Sequence, residues 1–400
     1  MSATEGVRTR HARKCRTRAG GRCSCSPSYQ VNLVDARSGQ RVWKTCATLA
    51  EAKAWRQDAA SALRGGRMAP PTRTTVAQAA GALLDGMKAG TILSRSERRY
   101  KPATIRSYER ALTARILPRV GPLALTEVTR GTVKALVRGL IADGLDPSTV
   151  RNTLDPLRVI FREAVEDEVI AVDPTDGLRL PQGRGRRDRV ADRGEAEALL
   201  GALPTEDRAL WACAFYAGLR RGELQALRWV DLDLDAEPAV LRVTRSYDDE
   251  GRTFTTPKSD AGARTVPVVG RLRRLLVAHK LATGRRDDAL VFGRSALHPF
   301  TPSTVARRAR EAWTAANDAE AERLGRELTD GEGLRPITLH EARHSTASYL
   351  VDAGANDLEL AAVIGHSDPR TTKTIYAHLF ADSCARVGTK LDAYLDAAEA

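Results

Sequence analysis

Residues 217–224 of this 400-residue chain read Ala-Gly-Leu-Arg-Arg-Gly-Glu-Leu and interrupt an apolar helical pattern. The run from Ala209 to Phe215 predicts a buried helix, Gly218 predicts its end, and a second helix is expected to begin beyond Gly222. Arg220 therefore lies on a tight junction where neither helix needs a cation. Because a guanidinium is always charged and carries five donors in a fixed fork, Arg220 is a candidate anion-binding residue.

Residues 256–264, Thr-Pro-Lys-Ser-Asp-Ala-Gly-Ala-Arg, form a second segment with unexpected polar residues. Short β-branched runs flank it, so we expect a turn between two strands with Lys258 at its tip. Taken alone, Lys258 would be an ordinary turn lysine. Arg220 alone would be one solvated charge among 63 lysine and arginine residues.

A third group of motifs lies near the carboxyl end. His340 and Arg343 are three apart on a predicted helix and can face one point in space. Gly365 is expected to end the next short helix and to expose His366, and Tyr376 follows in the run Thr-Thr-Lys-Thr-Ile-Tyr-Ala-His. Arginines, histidines, a lysine and a tyrosine on separate elements, without a carboxylate cluster beside them, suit a phosphodiester ligand.

In order and spacing, these segments resemble the conserved boxes of the tyrosine recombinase family, of the phage-integrase type. The resemblance runs from about residue 72 to about residue 380. It implies that Arg220 and Arg343 bind the non-bridging oxygens of the scissile phosphate. It also implies that Lys258 is the general acid for the leaving 5′-oxygen.

The same resemblance assigns the remaining catalytic residues. His340 and His366 correspond to the two histidines that bind the phosphate and handle the proton of the nucleophile, and Tyr376 corresponds to that nucleophile. The family usually has leucine at the position of Ala342, a departure that leaves every polar group in place.

Strand transfer suits these residue types on chemical grounds as well. A phenol with a pKa of about 10 is a weak nucleophile at neutral pH unless a base takes its proton or cations favour the phenolate. Fixed donors stabilise the charge of a phosphorane-like transition state by about 3 to 4 kcal/mol each. The predicted reaction therefore needs no cofactor and no catalytic metal, and the phosphotyrosine keeps the bond energy for resealing without ATP.

Other tyrosines and histidines compete for these roles. Tyr349 falls on the core stripe of the helix that carries His340, and Tyr394 lies in the tail, so we predict that both are packing residues. We predict that His344 and His378 are structural hydrogen-bonding residues near the site.

The chain is predicted to be an α+β protein, mainly α, with three domains. Residues 1–66 hold a basic arm, a β-hairpin and a helix, a small sheet-plus-helix domain that the resemblance associates with arm-type DNA sites. Residues 72–180 are predicted to be an all-α, four-helix core-binding domain, and residues 181–193 an arginine-rich linker. Residues 194–400 are predicted to be the catalytic domain, with a tyrosine-recombinase fold and a C-terminal helix.

The catalytic domain is also predicted to contain a three-stranded antiparallel sheet. Alternating or β-branched runs separated by turn residues indicate its strands, which are expected at Val240–Ser246, Thr253–Thr256 and Arg264–Val268.

The amino-acid composition indicates which kind of binding partner the chain has. A formal net charge of +13 and a sequence pI near 9.8 favour nucleic acid. No apolar run approaches the roughly 18 residues of a membrane helix, and no secretory signal is visible, so the expected partner is not a membrane and the expected location is cytoplasmic.

The resemblance implies site-specific recombination of double-stranded DNA through a 3′-phosphotyrosyl intermediate. An integrase of a phage or integrative mobile element is favoured, because chromosome-dimer resolvases of the family lack an N-terminal sheet domain. A type IB topoisomerase-like relaxing enzyme and a non-catalytic DNA-binding regulator that retained the fold remain alternatives.

The resemblance further implies a homotetramer synapsed on core-type and arm-type sites, with a directionality factor or a host DNA-bending protein as further partners. A stripe formed by Val387, Leu391 and Leu395 predicts the C-terminal helix. That helix either packs in the same molecule or, as we favour, docks on a neighbouring protomer.

Cysteines and a histidine are concentrated near the amino end. His11, Cys15, Cys23 and Cys25 lie among seven lysines or arginines and could supply four zinc ligands. Their spacing matches none of the standard paired zinc patterns, so free thiols on a basic tail remain the favoured alternative.

Overall fold

The computed structural model describes residues 6–34, 41–64, 73–180, 189–256 and 262–365. The chain divides into two compact units between Gly185 and Arg186. In chain order, the helices and strands of the first unit are β1 (Val7–Arg10), β2 (Ser28–Val34), β3 (Arg41–Cys46), α1 (Leu49–Arg64), α2 (Val76–Ala89), α3 (Pro102–Ala111), α4 (Leu117–Val120), α5 (Arg130–Ala142) and α6 (Pro147–Glu166).

The amino-terminal part of the first unit is a small antiparallel sheet followed by a helix. The predicted hairpin of β2 and β3 is confirmed, and α1 begins at a capping box, in which the N–H of Glu51 donates to Thr48 Oγ1 at 3.2 Å. The sheet has the order β1-β2-β3, so it also contains a strand that the sequence did not predict. Val-Arg-Thr-Arg in β1 has only one apolar residue and is recruited by pairing with β2.

The helical part of the first unit confirms the four predicted amphipathic stretches. A single π-helical turn, Leu112–Ile116, joins α3 to α4 into one continuous helical segment. One apolar cluster fills the space between the helices, and Leu140, Leu154 and Phe161 at its centre are fully buried. Each helix buries one stripe, as the 3.6-residue period requires.

The second unit contains the remaining elements, which in chain order are α7 (Arg193–Ala202), α8 (Thr205–Tyr216), α9 (Arg221–Ala226), β4 (Leu232–Asp233), β5 (Val240–Val243), β6 (Ser246–Asp248), β7 (Thr253–Thr255), β8 (Arg264–Pro267), α10 (Gly270–Thr283), α11 (Pro302–Leu324), α12 (Leu339–Asp352) and α13 (Asp357–Ile364). The fold class is confirmed: the unit is mainly helical, with small antiparallel sheets.

The predicted three-stranded antiparallel sheet is present, but its strands are not the three that were expected. Its order is β4-β5-β8, and the expected middle strand instead pairs with β6 in a separate hairpin. The chain leaves the sheet after Val243 because the hydroxyl of Thr244 donates to Asp231 and the guanidinium of Arg245 donates to the carbonyl of Ala226. These side-chain bonds end the ladder and start the β6–β7 hairpin.

The core of the second unit holds α12 against α8, which fixes the site described below. Trp211 and Trp313 meet edge to face with ring centroids 5.1 Å apart, and both rings are buried. The hydroxyl of Thr346 on α12 donates to the carbonyls of Ala214 and Phe215 at 2.9 Å each, at the end of α8. The two helices are therefore held together by apolar packing and by buried hydrogen bonds.

The carboxyl end of the segment predicted as a linker packs on this unit. Ala191 is fully buried, and its N–H donates to the hydroxyl of Ser345 at 3.0 Å. Residues 181–188 lie outside the described ranges. Among the residues that are described, no helix is long and apolar enough to cross a membrane.

Candidate active site

The Gly-Leu-Arg junction is formed by a glycine that no other residue could replace without strain. Gly218 has φ +61°, and a Cβ at this position would lie 2.8 Å from Cδ1 of Ile364. The glycine thus lets the chain turn sharply after α8 and lets α13 approach closely. The tight junction is confirmed, but α9 begins at Arg221 and not beyond Gly222, so Arg220 is its N-cap.

Three arginines converge on the carboxyl end of α13. The guanidinium of Arg264 donates to the carbonyl of Val363 at 2.7 Å, that of Arg343 to Ile364 at 2.5 Å, and that of Arg220 to Gly365 at 2.7 Å. These are consecutive carbonyls of a helix end, which have no intrahelical donors and carry the negative end of the helix dipole. The structure therefore brings Arg220 and Arg343, from two distant motifs, to one turn of the chain.

The two predicted phosphate-binding arginines differ in exposure. The side chain of Arg220 is 37% exposed, whereas Arg343 is only 2% exposed and also donates to the carbonyl of Gly218. Arg220 can meet an incoming anion directly. In this arrangement Arg343 contributes a buried positive charge beneath it.

Glu223 organises this cluster, and sequence reasoning did not identify it. Its carboxylate, 3% exposed, accepts hydrogen bonds from Arg220 at 2.8 Å and from both terminal nitrogens of Arg264, at 3.1 and 2.9 Å. Burial alone would raise the pKa of Glu223, but the hydrogen bonds and charge of Arg264 and the charge of Arg220 hold this pKa below its ordinary value. One ionised carboxylate thus orients two guanidinium groups, and the cluster keeps an excess of positive charge.

His340 lies in the first turn of α12, one turn before Arg343, and is exposed. Its Nε2 lies 3.1 Å from Nε2 of His344, and the two rings meet edge to face. His344, which we predicted to be structural, is buried and holds the ring of His340 by this contact. The spacing of four residues places both rings on one face of the helix, and the folded chain shows that they are in contact.

Tyr349 is a packing residue, as predicted. Its hydroxyl donates to the carbonyls of Ala191 and Asp192, at 2.8 and 3.1 Å. Burial raises the pKa of this hydroxyl, which is the opposite of what a tyrosine nucleophile requires. Tyr349 is therefore unsuited to compete with Tyr376 for the nucleophilic role.

Three of the predicted catalytic residues, Lys258, His366 and Tyr376, lie outside the described residues. So do His378, Tyr394 and the predicted C-terminal helix. Ala342, the departure from the family pattern, is fully buried in the apolar core of the second unit.

An arrangement of this kind can bind and polarise an oxyanion. The guanidinium groups are held in fixed directions by carbonyls and by Glu223, so little reorganisation is needed when negative charge develops nearby. A helix-borne imidazole pair that can accept or donate a proton lies on the element that also carries Arg343. Fold and site together define a mainly helical domain with a fixed cationic site that is suited to binding a phosphate.

Comparison with known proteins agrees with this class. Residues 190–382 match the profile of the phage integrase family. The ICEBs1 integrase of Bacillus subtilis is 25% identical over 67% of this chain and 72% of its own length. The tyrosine recombinase XerC of Xanthomonas campestris is 27% identical over 82% of this chain and 95% of its own length.

The similarity extends to solved structures. The Tn1549 transposon integrase, solved in complex with transposon right end DNA, covers 80% of this chain with a TM-score of 0.63 at 20% identity, and all of that chain is matched. Residues 190–382 therefore form a domain of the phage integrase type, and the fold is that of the tyrosine recombinase integrases.

Proposed function

We propose that this chain is the integrase of a phage or integrative mobile element and that it recombines DNA at specific sites. The enzyme class follows from the family. The observation that supports the residue roles is the convergence of Arg220 and Arg343 on adjacent carbonyls at the end of α13. Two cations from motifs 123 residues apart meet there. A single carboxylate, that of Glu223, accompanies three guanidinium groups, so positive charge remains to bind a phosphate.

In the proposed reaction, the phenolic oxygen of Tyr376 attacks the scissile phosphorus and the bond to the 5′-oxygen breaks. The phenol proton passes to His340 or His366, and Lys258 protonates the leaving 5′-oxygen. Arg220 and Arg343 stabilise the negative charge that collects on the non-bridging oxygens. The 5′-hydroxyl of a second strand then attacks the 3′-phosphotyrosine, the steps run in reverse, and a recombinant strand is sealed.

The chain around Lys258 supports its role. Lys258 lies between β7 and β8, six residues before Arg264, and the guanidinium of Arg264 contacts Glu223 and the end of α13. The segment carrying the lysine is therefore followed closely by a residue that is fixed inside the cluster.

Each domain is proposed to bind a different part of the DNA. Residues 1–66 would bind arm-type sites, residues 72–180 and 194–400 would hold the core site, and the linker 181–193 would follow the phosphate backbone. A lambda integrase structure contains a dimer bound to a core site, which supports assembly of several copies on DNA. The family resemblance suggests a homotetramer as the full assembly. A directionality factor, a host DNA-bending protein and a cytoplasmic location belong to the same proposal.

A nicked suicide duplex containing the core site tests the chemistry. The short fragment beyond the cleavage point diffuses away, so the covalent protein–DNA adduct accumulates and is visible on a denaturing gel. We expect the wild-type adduct to form in EDTA, and Tyr376→Phe to abolish it while DNA binding is retained.

Tyr349→Phe is the matched control, since it removes a hydroxyl that hydrogen-bonds to Ala191 rather than one proposed to react. This variant should still form the adduct. An adduct that survives Tyr376→Phe, or the absence of any adduct with specific DNA, would overturn the proposed reaction. Relaxation of supercoiled DNA without paired sites would indicate the topoisomerase-like alternative.

A further inference from the structure

Four side chains outside the catalytic unit converge on one point in the loop between β1 and β2. The ligand atoms of His11, Cys15, Cys23 and Cys25 all lie within 4.8 Å of one another. Nδ1 of His11 is 3.7, 3.3 and 3.6 Å from the sulfurs of Cys15, Cys23 and Cys25. The sulfur of Cys23 lies 3.8 Å from each of the other two sulfurs.

These five separations are close to the edges of a zinc coordination tetrahedron. Zn–S bonds of about 2.3 Å and Zn–N bonds of about 2.0 to 2.1 Å give S–S edges of about 3.8 Å and S–N edges of about 3.6 Å in tetrahedral geometry. The sequence separations differ from the standard paired patterns, but the folded loop supplies the geometry that those patterns usually provide. Three thiolates and one imidazole are a closed ligand set for a structural zinc ion.

A disulfide does not account for the cluster. Bonded sulfurs lie about 2.05 Å apart, and one disulfide would use two of the three sulfurs and leave the third and the imidazole without a role. One divalent ion uses all four groups.

Hydrogen-bond donors also face two of the sulfurs. The sulfur of Cys15 is buried and accepts hydrogen bonds from the hydroxyl of Thr17 at 3.2 Å and from the N–H of Ser24 at 3.4 Å. The N–H of Ala12 donates to the sulfur of Cys25 at 3.4 Å.

The small size of this sheet-plus-helix part gives the metal a structural role. Its apolar cluster, among the described residues, is centred on Val31, Cys46 and Ala52. So small a core stabilises little by hydrophobic burial, and small domains of this kind commonly depend on a metal or a disulfide. We propose that His11, Cys15, Cys23 and Cys25 bind one Zn²⁺ that fixes the basic β1–β2 loop.

Metal content of the full-length chain tests the site. Protein purified under reducing conditions and dialysed is expected to carry one zinc per chain by plasma mass spectrometry, and Cys23→Ser is expected to carry none. Cys46→Ala is the matched control, because Cys46 is a buried cysteine of the same sheet outside the cluster, and it should keep its zinc.

A rescue variant separates metal binding from folding. Since zinc sites accept four thiolates as readily as three thiolates and an imidazole, His11→Cys should retain one zinc, whereas His11→Ala should lose it. With Co²⁺ in place of zinc, the wild type should show thiolate-to-metal absorption together with the visible bands of tetrahedral cobalt.

Trypsin provides a second readout. The side chains of Arg13, Lys14 and Arg16 are already exposed, so trypsin is limited by the folded backbone of the loop. Removal of the metal should unfold the loop and allow cleavage after these residues, and added zinc should protect them again. Wild-type protein without stoichiometric zinc, cobalt bands that persist in Cys23→Ser, or unchanged cleavage on metal removal would overturn the proposal. None of these outcomes depends on recombination activity.

Discussion

Glu223 is the residue on which the geometry of the site most depends, because a single buried carboxylate binds two guanidinium groups. If it is neutralised, Arg264 remains 5% exposed without its counter-ion. Breaking a buried pair from one side costs about 3 to 5 kcal/mol, far more than an exposed pair contributes.

We therefore expect Glu223→Gln to lower the free energy of unfolding by about 3 kcal/mol at neutral pH. Because the pKa of Glu223 is lowered in the folded protein, its stabilisation is complete above the ordinary glutamate pKa of about 4.3 and is lost as the pH falls through the lowered value. Urea unfolding curves at a series of pH values should show the variant and the wild type converging in acid.

Glu311→Gln is the control for charge alone, since Glu311 pairs with Arg307 on the surface and both side chains are well exposed. This change should cost less than about 0.5 kcal/mol. Equal effects of the two substitutions would show that Glu223 does not organise the cluster.

Sequence and structure differ at this scale in what each can identify. Arg220 and Arg343 can be recognised in the sequence as candidate functional residues, because neither arginine is required to form the helix or junction that carries it. The bond between Glu223 and Arg264 joins residues 41 positions apart, and only the folded chain brings them together. His344 was placed correctly on its helix, but its contact with His340 required the ring positions.

At the scale of elements, helix α12 carries both an imidazole and a guanidinium of the site. A capping box fixes its first turn: the N–H of Glu341 donates to Thr338 Oγ1 at 3.2 Å, and the N–H of Thr338 donates back to Glu341 at 2.9 Å. His340 lies within this turn, so the cap positions the imidazole.

Thr338→Ala is expected to cost about 1 kcal/mol of stability and to slow formation of the covalent adduct at saturating DNA. The physical reason is fraying of the turn that holds His340. The measurement is the single-turnover rate on the suicide duplex.

Thr129→Ala is the matched control, since Thr129 caps α5 in the first unit through the same type of bond at 3.2 Å. It should lose similar stability and keep the cleavage rate. A rate loss in both variants would mean that stability, and not the position of His340, controls the reaction.

Helix positions were predictable from apolar period and capping residues, as the capping box of α1 shows. The pairing of the strands was not predictable, because a two-residue hydrophobic period and β-branched residues indicate a strand but do not indicate which strand it pairs with. The run beginning at Val240 reads as one strand, and side-chain bonds from Thr244 and Arg245 divide it into β5 and β6.

At the scale of the whole molecule, the chain combines two units with a strongly basic composition. The resemblance to the family indicated the division of labour. The candidate zinc ligands His11, Cys15, Cys23 and Cys25 were visible in the sequence without any family pattern, and only the folded loop shows that they lie together. Physical proximity, not spacing along the chain, defines that cluster.

Deletion of residues 1–66 is expected to abolish high-affinity binding of arm-type DNA while cleavage of the core-site suicide duplex continues. The reason is removal of a basic segment that binds phosphates, so the slope of log affinity against log salt should fall by about 0.9 for each phosphate that is no longer neutralised. Gel-shift titrations at several salt concentrations measure both quantities.

DNA that carries the core site alone is the control, and its affinity should change little on deletion. Loss of core cleavage with arm binding intact would reverse the proposed assignment of the two parts.

The carbonyl oxygens at the end of α13 accept hydrogen bonds from Arg220 and Arg343. A phosphate would use the same guanidinium donors. An anion that takes the N–H groups of Arg220 would leave the carbonyl of Gly365 without this donor. Anion binding and hydrogen bonding to the last carbonyl of the helix end are thus in competition.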